Sequence, residues 1–222
     1  MSNRKRLVVV GAGGFGQEII WAARNFNSVN PIFEICGYCD DDPSKMGANV
    51  YGSPVLGTPE DFASREAGEI WFVCAIGNNR NRSKVVKRIQ NLGWQAVTVV
   101  DPSVIVAEGV EIGEGCYVGA GSILSPYATL GNHVIINHCC SIGHDSRLED
   151  FVQISPGGRV SGRCTIKEGA SLGSNAAVAP GKTVGLYSVI GACSFAIGDV
   201  PDGATVVGNP ARVISTLGKK AS

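Results

Sequence analysis

The sequence predicts an α/β domain over residues 1–101, equivalent to half of a Rossmann fold, followed by a parallel β-helix over residues 102–222. Two observations predict this organisation. Near the N-terminus, a glycine-rich turn joins an apolar strand to a helix. In the second half of the chain, an aliphatic residue recurs at every sixth position. The 30 glycines, which follow no collagen-like period, are typical of a chain with many tight turns.

The α/β domain begins with RLVVVGAGGFGQEIIWAARN, which predicts a strand, a glycine-rich turn and a helix. Gly11, Gly13 and Gly16 have the spacing G-x-G-x-x-G. This spacing permits a tight turn and lets a phosphate approach the N–H groups of a helix start. A second strand, EICGYCDDD, ends in Asp40 and Asp41, where an acidic residue usually meets a ribose or base.

A third strand and its turn are predicted by EIWFVCAIGNNRNR, and a helix by SKVVKRIQNLG. The domain then has about 100 residues, half the size of a complete dinucleotide-binding fold. A mononucleotide therefore fits it better than NAD. An NAD-dependent oxidoreductase is disfavoured because a second βαβ unit is missing, and a purely structural strand–turn–helix remains an alternative.

The β-helix is predicted by a period of six residues, which neither a helix nor a single strand explains. Three six-residue units close one coil of a triangular prism, with the aliphatic side chain pointing inward and a following glycine helping the chain to turn. Five coils follow from fifteen repeats, and such a rod is stabilised by stacking of neighbouring coils. The inward positions are Val106, Ile112, Val118, Leu124, Leu130, Ile136, Ile142, Leu148, Ile154, Val160, Ile166, Leu172, Val178, Val184 and Ile190.

Composition argues against several classes of function. The formal net charge is zero and the basic residues are scattered, which disfavours nucleic-acid binding. No apolar stretch approaches the roughly 20 residues of a membrane helix. The apolar run Leu7–Val10 is shorter than a secretory core, so we expect a cytoplasmic protein without membrane insertion. The pair Cys36 and Cys39 lies on a strand, which favours ordinary reduced thiols over a redox or zinc site.

The combination of both domains resembles the PglD/NeuD family of sugar acyltransferases. The matching segments are GAGGFG, YCDDD, AIGNN and NHCCSIGHDSRLEDFVQISPGGRVSG, and the tail VVGNPARVI resembles the segment that closes the coils in the wider superfamily. The resemblance implies a left-handed β-helix, and a homotrimer that binds acetyl-CoA between neighbouring prisms. It also implies an N-terminal domain that holds a nucleotide-linked amino sugar.

The resemblance implies roles for residues of the first domain as well. Gly13, Gly14 and Phe15 are expected to lie against the diphosphate, within the turn that Gly11 and Gly16 frame. Asp40 and Asp41 are expected to contact the base or ribose, and Gly77 of AIGNN to line the same pocket. The family often has a histidine where this chain has Phe15.

All three histidines lie in one segment, at positions 133, 138 and 144. His138 and His144 each follow an inward aliphatic residue by two places, so they lie on neighbouring faces and are poorly placed to share a metal ion. We expect no metal site. Acetyl transfer to an amine needs a base, and histidine suits this role near neutral pH. Asp145 follows His144, as in the His–acid pair of the family. His144 is therefore the predicted base, and Asp145 is predicted to hold its tautomer and raise its basicity. This requires that Asp145 lies at a corner, because adjacent residues of a strand point to opposite sides.

One coil of eighteen residues places Gly162 directly above His144. The absence of a side chain there lets acetyl-CoA lie against the backbone, and its N–H is a candidate donor to the thioester oxyanion. The family has an equivalent glycine. Gln153 stands where many relatives have a second histidine that contacts acetyl-CoA, and its amide still donates a hydrogen bond. Ser174 and Ala192 match positions of the family that line the acetyl-CoA site.

The sequence therefore predicts acetyl-CoA-dependent N-acetylation of a nucleotide-linked amino-dideoxy sugar, with direct attack of the amine. O-acetylation of a sugar such as sialic acid makes similar demands on a base and stays open. A non-catalytic nucleotide-binding scaffold is a further alternative. The sequence leaves open the nucleotide base, the sugar stereochemistry and the position of the amine.

Overall fold

The first unit of the protein contains a four-stranded parallel sheet with the strand order β2-β1-β5-β6. The computed structural model describes residues 4–216, and the chain divides between Pro102 and Ser103 into two compact units. The elements of the first unit are β1 (Lys5–Val10), α1 (Gly14–Val29), β2 (Phe33–Cys39), β3 (Asn49–Val50), β4 (Ser53–Pro54), α2 (Pro59–Arg65), β5 (Trp71–Cys74), α3 (Asn79–Gln90), β6 (Gln95–Ala96) and β7 (Val99–Val100), with a short 3-10 helix at Pro43–Lys45.

The central strands form because they are apolar on both sides. Leu7, Val8 and Val9 of β1 are fully buried, as expected for a parallel strand covered on two faces. Helix α1 buries a stripe that includes Ile19, Ile20 and Ala23. The carboxyl ends of β1, β2 and β5 lie at the same edge of the sheet, because parallel neighbours run in the same direction.

Within residues 4–216, no helix is both long and apolar enough to cross a lipid bilayer.

The second unit is a β-solenoid of about six turns, which confirms the predicted β-helix but exceeds the predicted five coils. Its strands are short and form three parallel sheets, which we call faces 1, 2 and 3. The strands are β8 (Ile105–Val106), β9 (Glu111–Ile112), β10 (Tyr117–Val118), β11 (Ile123–Leu124), β12 (Thr129–Leu130), β13 (Ile135–Ile136), β14 (Ser141–Ile142), β15 (Arg147–Leu148), β16 (Gln153–Ile154), β17 (Arg159–Val160), β18 (Thr165–Ile166), β19 (Ser171–Leu172), β20 (Ala177–Val178), β21 (Thr183–Val184), β22 (Val189–Ile190), β23 (Phe195–Ala196), β24 (Ala204–Gly208) and β25 (Ala211–Thr216).

Each face stacks strands from successive coils. Face 1 contains β10, β13, β16, β19, β22 and β24, face 2 contains β8, β11, β14, β17, β20 and β23, and face 3 contains β9, β12, β15, β18 and β21. Strand β25 pairs antiparallel with β24 and ends the described chain. The second residue of each short strand points inward, and from Val118 to Ile190 these side chains are at most 4% exposed. The predicted inward positions therefore form the core from Val118 onward. The prediction is wrong for Val106, which is 47% exposed in the first coil, and Ile112 is only partly buried.

The corners of the coils follow their own period of six. The third residue after each inward aliphatic has a positive φ, from Gly109 through Asp145 to Cys193. The glycines directly after the aliphatic residues do not turn the chain, so that part of the prediction is wrong. Instead they allow close approach of the next coil, since a Cβ on Gly143 would lie 2.4 Å from the nitrogen of Gly162.

The last coil is shorter than the others, which the sequence analysis did not anticipate. Val178 pairs with Ala196, eighteen residues later, whereas Val184 pairs with Val200 and Ile190 with Val206, only sixteen residues later. The strict period ends there although the coil continues. The count of five coils is therefore too low.

Candidate functional site

His144 and Asp145 form a hydrogen-bonded pair at the corner between face 2 and face 3. Nδ1 of His144 lies 2.7 Å from Oδ2 of Asp145. Neighbouring residues on a straight strand point to opposite sides, but Asp145 has φ 57°, and this left-handed corner turns its carboxylate back toward the imidazole. Both side chains are about half exposed, at 51% and 53%, so the pair faces away from the apolar axis of the prism.

This contact determines which nitrogen of His144 can accept a proton. An ionised carboxylate only accepts hydrogen bonds, so Nδ1 of a neutral His144 is the nitrogen that carries the hydrogen and donates it to Asp145. Nε2 then keeps its lone pair. An imidazole held in this tautomer by an acidic neighbour is chemically able to accept a proton at Nε2.

Gly162 lies against the same imidazole, one coil further along. A Cβ atom built on Gly162 would lie 2.5 Å from Nε2 of His144, so the ring occupies the place of a side chain. Among residues 4–216, no protein group accepts a hydrogen bond from the Gly162 N–H. The equivalent N–H groups at the corner between face 3 and face 1 are capped by side chains: Glu114 donates to Asn132, and Asn132 donates to Asp150. At the His144 corner the following coil contributes Pro180, which leaves a backbone donor available beside the imidazole.

The other two histidines have different surroundings. His133 is only 4% exposed, and its ring stacks on Phe151 with a centroid separation of 5.2 Å. His138 lies at the corner between faces 1 and 2, where its ring makes an edge contact with Tyr117. Among residues 4–216, no group of three His, Cys, Asp or Glu side chains is arranged to hold a metal ion.

The cysteines near this site are poor nucleophiles where they are buried. Burial raises the pKa of Cys140 to about 11, which disfavours the reactive thiolate. In the first unit, burial raises the pKa of Cys39 to about 12 and also raises that of Cys36. Cys139 is exposed at the corner with φ 56°.

Apart from Gly162, the residues predicted to contact acetyl-CoA lie elsewhere on the prism. Gln153 begins strand β16 on face 1, and its side chain is half-buried. Ser174 and Ala192 are exposed, one coil apart, at the corner between faces 1 and 2. Face 2 therefore separates them from His144 within one chain. The structure brings together His144, Asp145 and Gly162, but it does not bring Ser174 or Ala192 to the same corner.

In the first unit, the predicted nucleotide residues lie at the carboxyl edge of the parallel sheet, where ligands of open α/β sheets bind. Helix α1 begins at Gly14, and its N-cap Gly13 provides no side-chain hydrogen bond. A Cβ at Gly13 or Gly14 would meet nothing within 4 Å, whereas one at Gly16 would lie 2.1 Å from the carbonyl oxygen of Gly11. The turn is therefore open on the side of the helix start and tightly packed behind it. Phe15 follows in the first turn and is half-buried.

Asp40 is tied to the glycine-rich turn. Its carboxylate accepts hydrogen bonds from the N–H of Ala12 at 2.7 Å and of Asp42 at 2.9 Å, and it pairs with Lys45 at 3.0 Å. Burial raises the pKa of Asp40, but these three partners outweigh it and the pKa is lower than the ordinary carboxyl value. Asp40 therefore holds the turn in place as well as lying at its edge.

Asp41 and Gly77 complete this edge. Asp41 is exposed, and its carboxylate accepts hydrogen bonds from both terminal nitrogens of Arg88. Arg88 also forms an ion pair with Glu60. A Cβ at Gly77 would meet nothing within 4 Å, which agrees with a position beside open space.

Arg82 was not predicted from the sequence; it is 1% exposed and donates to the carbonyl oxygen of Ile76 at 3.0 Å. It shapes the loop that carries Gly77. The sequence did contain a signal for its burial, because Arg82, Val86 and Ile89 have the spacing of residues on one face of a helix.

Comparisons with known proteins agree with this geometry. Residues 6–89 match the family model of the PglD N-terminal domain. The structure is similar to the acetyltransferase domain of PglB from Neisseria gonorrhoeae FA1090 in complex with acetyl coenzyme A. The two share 31% identity over 95% of this chain and 99% of that one, with a TM-score of 0.86.

Two further relatives match over almost their whole length. PerB from Caulobacter crescentus, solved in complex with CoA and GDP-perosamine, is 30% identical over 94% of this chain and 96% of that chain, with a TM-score of 0.85. A GDP-perosamine N-acetyltransferase of Escherichia coli O157:H7 is 28% identical over 92% of this chain and 94% of its own length.

Proposed function

Because the chain belongs to the PglD-like family of sugar acyltransferases, we propose that it is an N-acetyltransferase that transfers an acetyl group from acetyl-CoA to the amine of a nucleotide-linked amino-dideoxy sugar. The observation that carries this proposal is the hydrogen bond of 2.7 Å between His144 and Asp145, with Gly162 against the same ring. This arrangement supplies a base and an oxyanion donor at one corner. Acetyl-CoA is the co-substrate.

The proposed reaction is a direct attack without a covalent acetyl-enzyme. The amine nitrogen attacks the thioester carbonyl carbon, and Nε2 of His144 accepts the proton that the nitrogen loses. The N–H of Gly162 donates to the oxygen that becomes negatively charged in the tetrahedral intermediate. When this intermediate collapses, the carbon–sulfur bond breaks, His144 returns the proton to sulfur, and the products are the N-acetyl sugar and CoA thiol.

The positions of the residues proposed to bind acetyl-CoA favour a site shared between copies. Ser174 and Ala192 lie at the corner between faces 1 and 2, whereas His144 lies at the next corner. A groove between two prisms brings the first corner of one copy opposite the second corner of its neighbour. A closed trimer forms three such grooves, in agreement with the rotational symmetry that is common in oligomers.

The first unit is proposed to bind the nucleotide part of the sugar substrate. Gly13 provides a sharp test, because its backbone is extended (φ −91°, ψ −173°) and a Cβ atom there would meet nothing within 4 Å. Gly13→Val is therefore compatible with the fold but fills the space in front of the helix start. We expect at least tenfold weaker binding of the nucleotide sugar by calorimetry, with unchanged binding of acetyl-CoA. An unchanged affinity for the nucleotide sugar would remove this turn from the site.

The substrate is identified by a thiol-release assay with acetyl-CoA and a panel of UDP-, dTDP- and GDP-linked amino sugars. GDP-perosamine is the first compound of the panel, because two relatives are named for it or solved with it. We expect release of CoA with at least one amino sugar and none with its hydroxyl analogue. Release with the hydroxyl analogue alone would establish O-acetylation instead, and release with neither would contradict the proposed activity.

A further inference from the structure

Ser146 lies inside the corner that carries His144 and is only 1% exposed. Its hydroxyl donates to the carbonyl oxygen of Ser161 at 2.9 Å and accepts from the N–H of Cys164 at 3.1 Å. The hydroxyl thus connects one coil to both ends of the Ser161–Cys164 turn of the next. That turn contains Gly162.

The bond to Ser161 acts on the peptide group that contains the proposed oxyanion donor. The carbonyl of Ser161 and the N–H of Gly162 belong to one peptide unit, which is planar and trans. Its C=O and N–H therefore point in opposite directions. Because Ser146 holds the C=O toward the interior of the corner, the N–H of Gly162 is held toward the exterior. The His144 ring packs against the Cα of the same residue.

A hydrogen bond to the carbonyl also polarises the peptide. Hydrogen bonds in a chain strengthen one another by roughly 10–30% per bond. A peptide whose oxygen already accepts a bond is therefore a better donor at its nitrogen. From this geometry we infer that Ser146 is a positioning residue for acetyl transfer, which orients and polarises the Gly162 N–H toward the thioester oxyanion. This inference rests on the proposed function, since it requires that Gly162 acts as the donor.

The prism supplies a matched control. Ser122 is fully buried at the corner between faces 1 and 2, where it donates to the carbonyl oxygen of Asn137 at 2.8 Å and accepts from the N–H of Cys140 at 3.1 Å. Its bonds repeat those of Ser146 at a corner that does not contain the His144–Asp145 pair. Replacing either serine by alanine removes the same two hydrogen bonds, so both variants are expected to lose similar stability.

The prism also supplies a conservative replacement. At equivalent inward positions the chain has Cys116, Cys140 and Cys164, whose sulfur atoms lie 3.1, 3.2 and 3.2 Å from carbonyl oxygens of the next coil. A thiol therefore fits this place in the coil, but it is a weaker donor than a hydroxyl. Ser146→Cys should keep the fold and part of the effect on the carbonyl.

The test compares Ser146→Ala, Ser146→Cys and Ser122→Ala as full-length proteins with acetyl-CoA and the amino sugar found in the thiol-release assay. Loss of a whole oxyanion donor lowers kcat by about 10²–10³, so loss of its alignment is expected to lower kcat by about tenfold in Ser146→Ala. We expect an intermediate kcat in Ser146→Cys and a kcat within about twofold of the parent in Ser122→Ala. KM for both substrates and the pH profile of kcat/KM should stay unchanged in all three, because the His144–Asp145 contact is intact.

Equal values of kcat in Ser146→Ala and Ser122→Ala, at equal losses of thermal stability, would overturn the inference. A displaced pH profile in Ser146→Ala would overturn it as well, since Ser146 would then act through the histidine. Failure of the proposed function is distinguished by His144→Asn. If that variant keeps full activity, the mechanism itself is wrong, whereas a normal Ser146→Ala beside an inactive His144→Asn removes only the role of Ser146.

Discussion

The imidazole of His144 packs against the Cα of Gly162, and its Nε2 lies 2.5 Å from the position that a Cβ atom on this residue would occupy. This relationship joins two successive coils, because the residues are eighteen positions apart, the length of one coil. The imidazole can take this orientation only because residue 162, one coil further along, has no side chain.

Gly162→Ala should inactivate the enzyme without unfolding it. The added methyl group displaces the ring, and the φ of Gly162 lies outside the left-handed region that favours glycine. We expect kcat to fall by at least about a hundredfold, as for other losses of a positioned base. Gly198→Ala is the control, since it lies two coils further at the same corner and a Cβ there meets nothing within 4 Å. Equal activity of both variants would show that the ring is not fixed by Gly162.

Asp145→Asn tests whether the acid acts through its charge. Asparagine tolerates the left-handed backbone of this corner, so the variant keeps the local fold, and its amide oxygen can still accept from Nδ1. The negative charge that stabilises the imidazolium after proton transfer is lost. We expect kcat to decrease by about tenfold or more, with KM for acetyl-CoA nearly constant, in steady-state kinetics. An unchanged kcat would limit Asp145 to holding the ring.

Asp40→Asn should destabilise the protein in a pH-dependent manner. Because the pKa of Asp40 is lowered by its partners in the folded state, its charge stabilises the fold above the pKa of the unfolded chain. This contribution is lost as the pH falls through the folded-state pKa. We expect the variant to lose about 1.5–3 kcal/mol of unfolding free energy at neutral pH, the usual value for a hydrogen bond to a charged group.

The measurement is urea unfolding of parent and variant at pH 7 and near pH 3, below the ordinary carboxyl pKa of about 3.9. The difference between the two proteins should be smaller at the lower pH, because the carboxyl group is by then largely protonated in the unfolded chain and part of the charge contribution is lost. A difference that stays constant with pH would mean that the charge of Asp40 does not stabilise the turn.

Mixed oligomers test whether the site is shared between copies. His144→Asn removes the proposed base, and Ser174→Trp blocks the proposed acetyl-CoA surface at the other corner. Each variant alone should be inactive. When the two are refolded together, random assembly into closed rings gives about a quarter of the sites an intact His144 from one copy and an intact Ser174 from its neighbour. Recovery of about a quarter of the parent activity is expected, and no recovery would place the whole site within one chain.

Much of the prism could be predicted from the sequence, because burial of one residue in six is visible as a period. The left-handed corner residues were harder to recognise, since Asp145, Phe151 and Arg163 occupy the same backbone conformation as glycines elsewhere. The number of coils was predicted too low because Val200 follows Ala196 by four positions rather than six. A search for a repeat of six residues does not detect a coil with a different spacing.

The sites were predictable where a contact follows from the repeat and less so where it depends on tertiary packing. The eighteen-residue coil places Gly162 over His144 without further information. The bond from Ala12 to Asp40, and the pair between Asp41 and Arg88, join residues 28 and 47 positions apart. No local spacing indicates such partners. The acids were therefore predicted at the correct strand end, but their bonds to the turn and to a helix were not.

The measurement that tests the central claim most directly is the rate of CoA release by His144→Asn, with acetyl-CoA and the amino sugar that the parent enzyme uses. The account predicts a loss of kcat of at least about a thousandfold, with the oligomeric state by light scattering and the affinity for acetyl-CoA unchanged. A variant that releases CoA at the rate of the parent would contradict the assignment of His144 as the base.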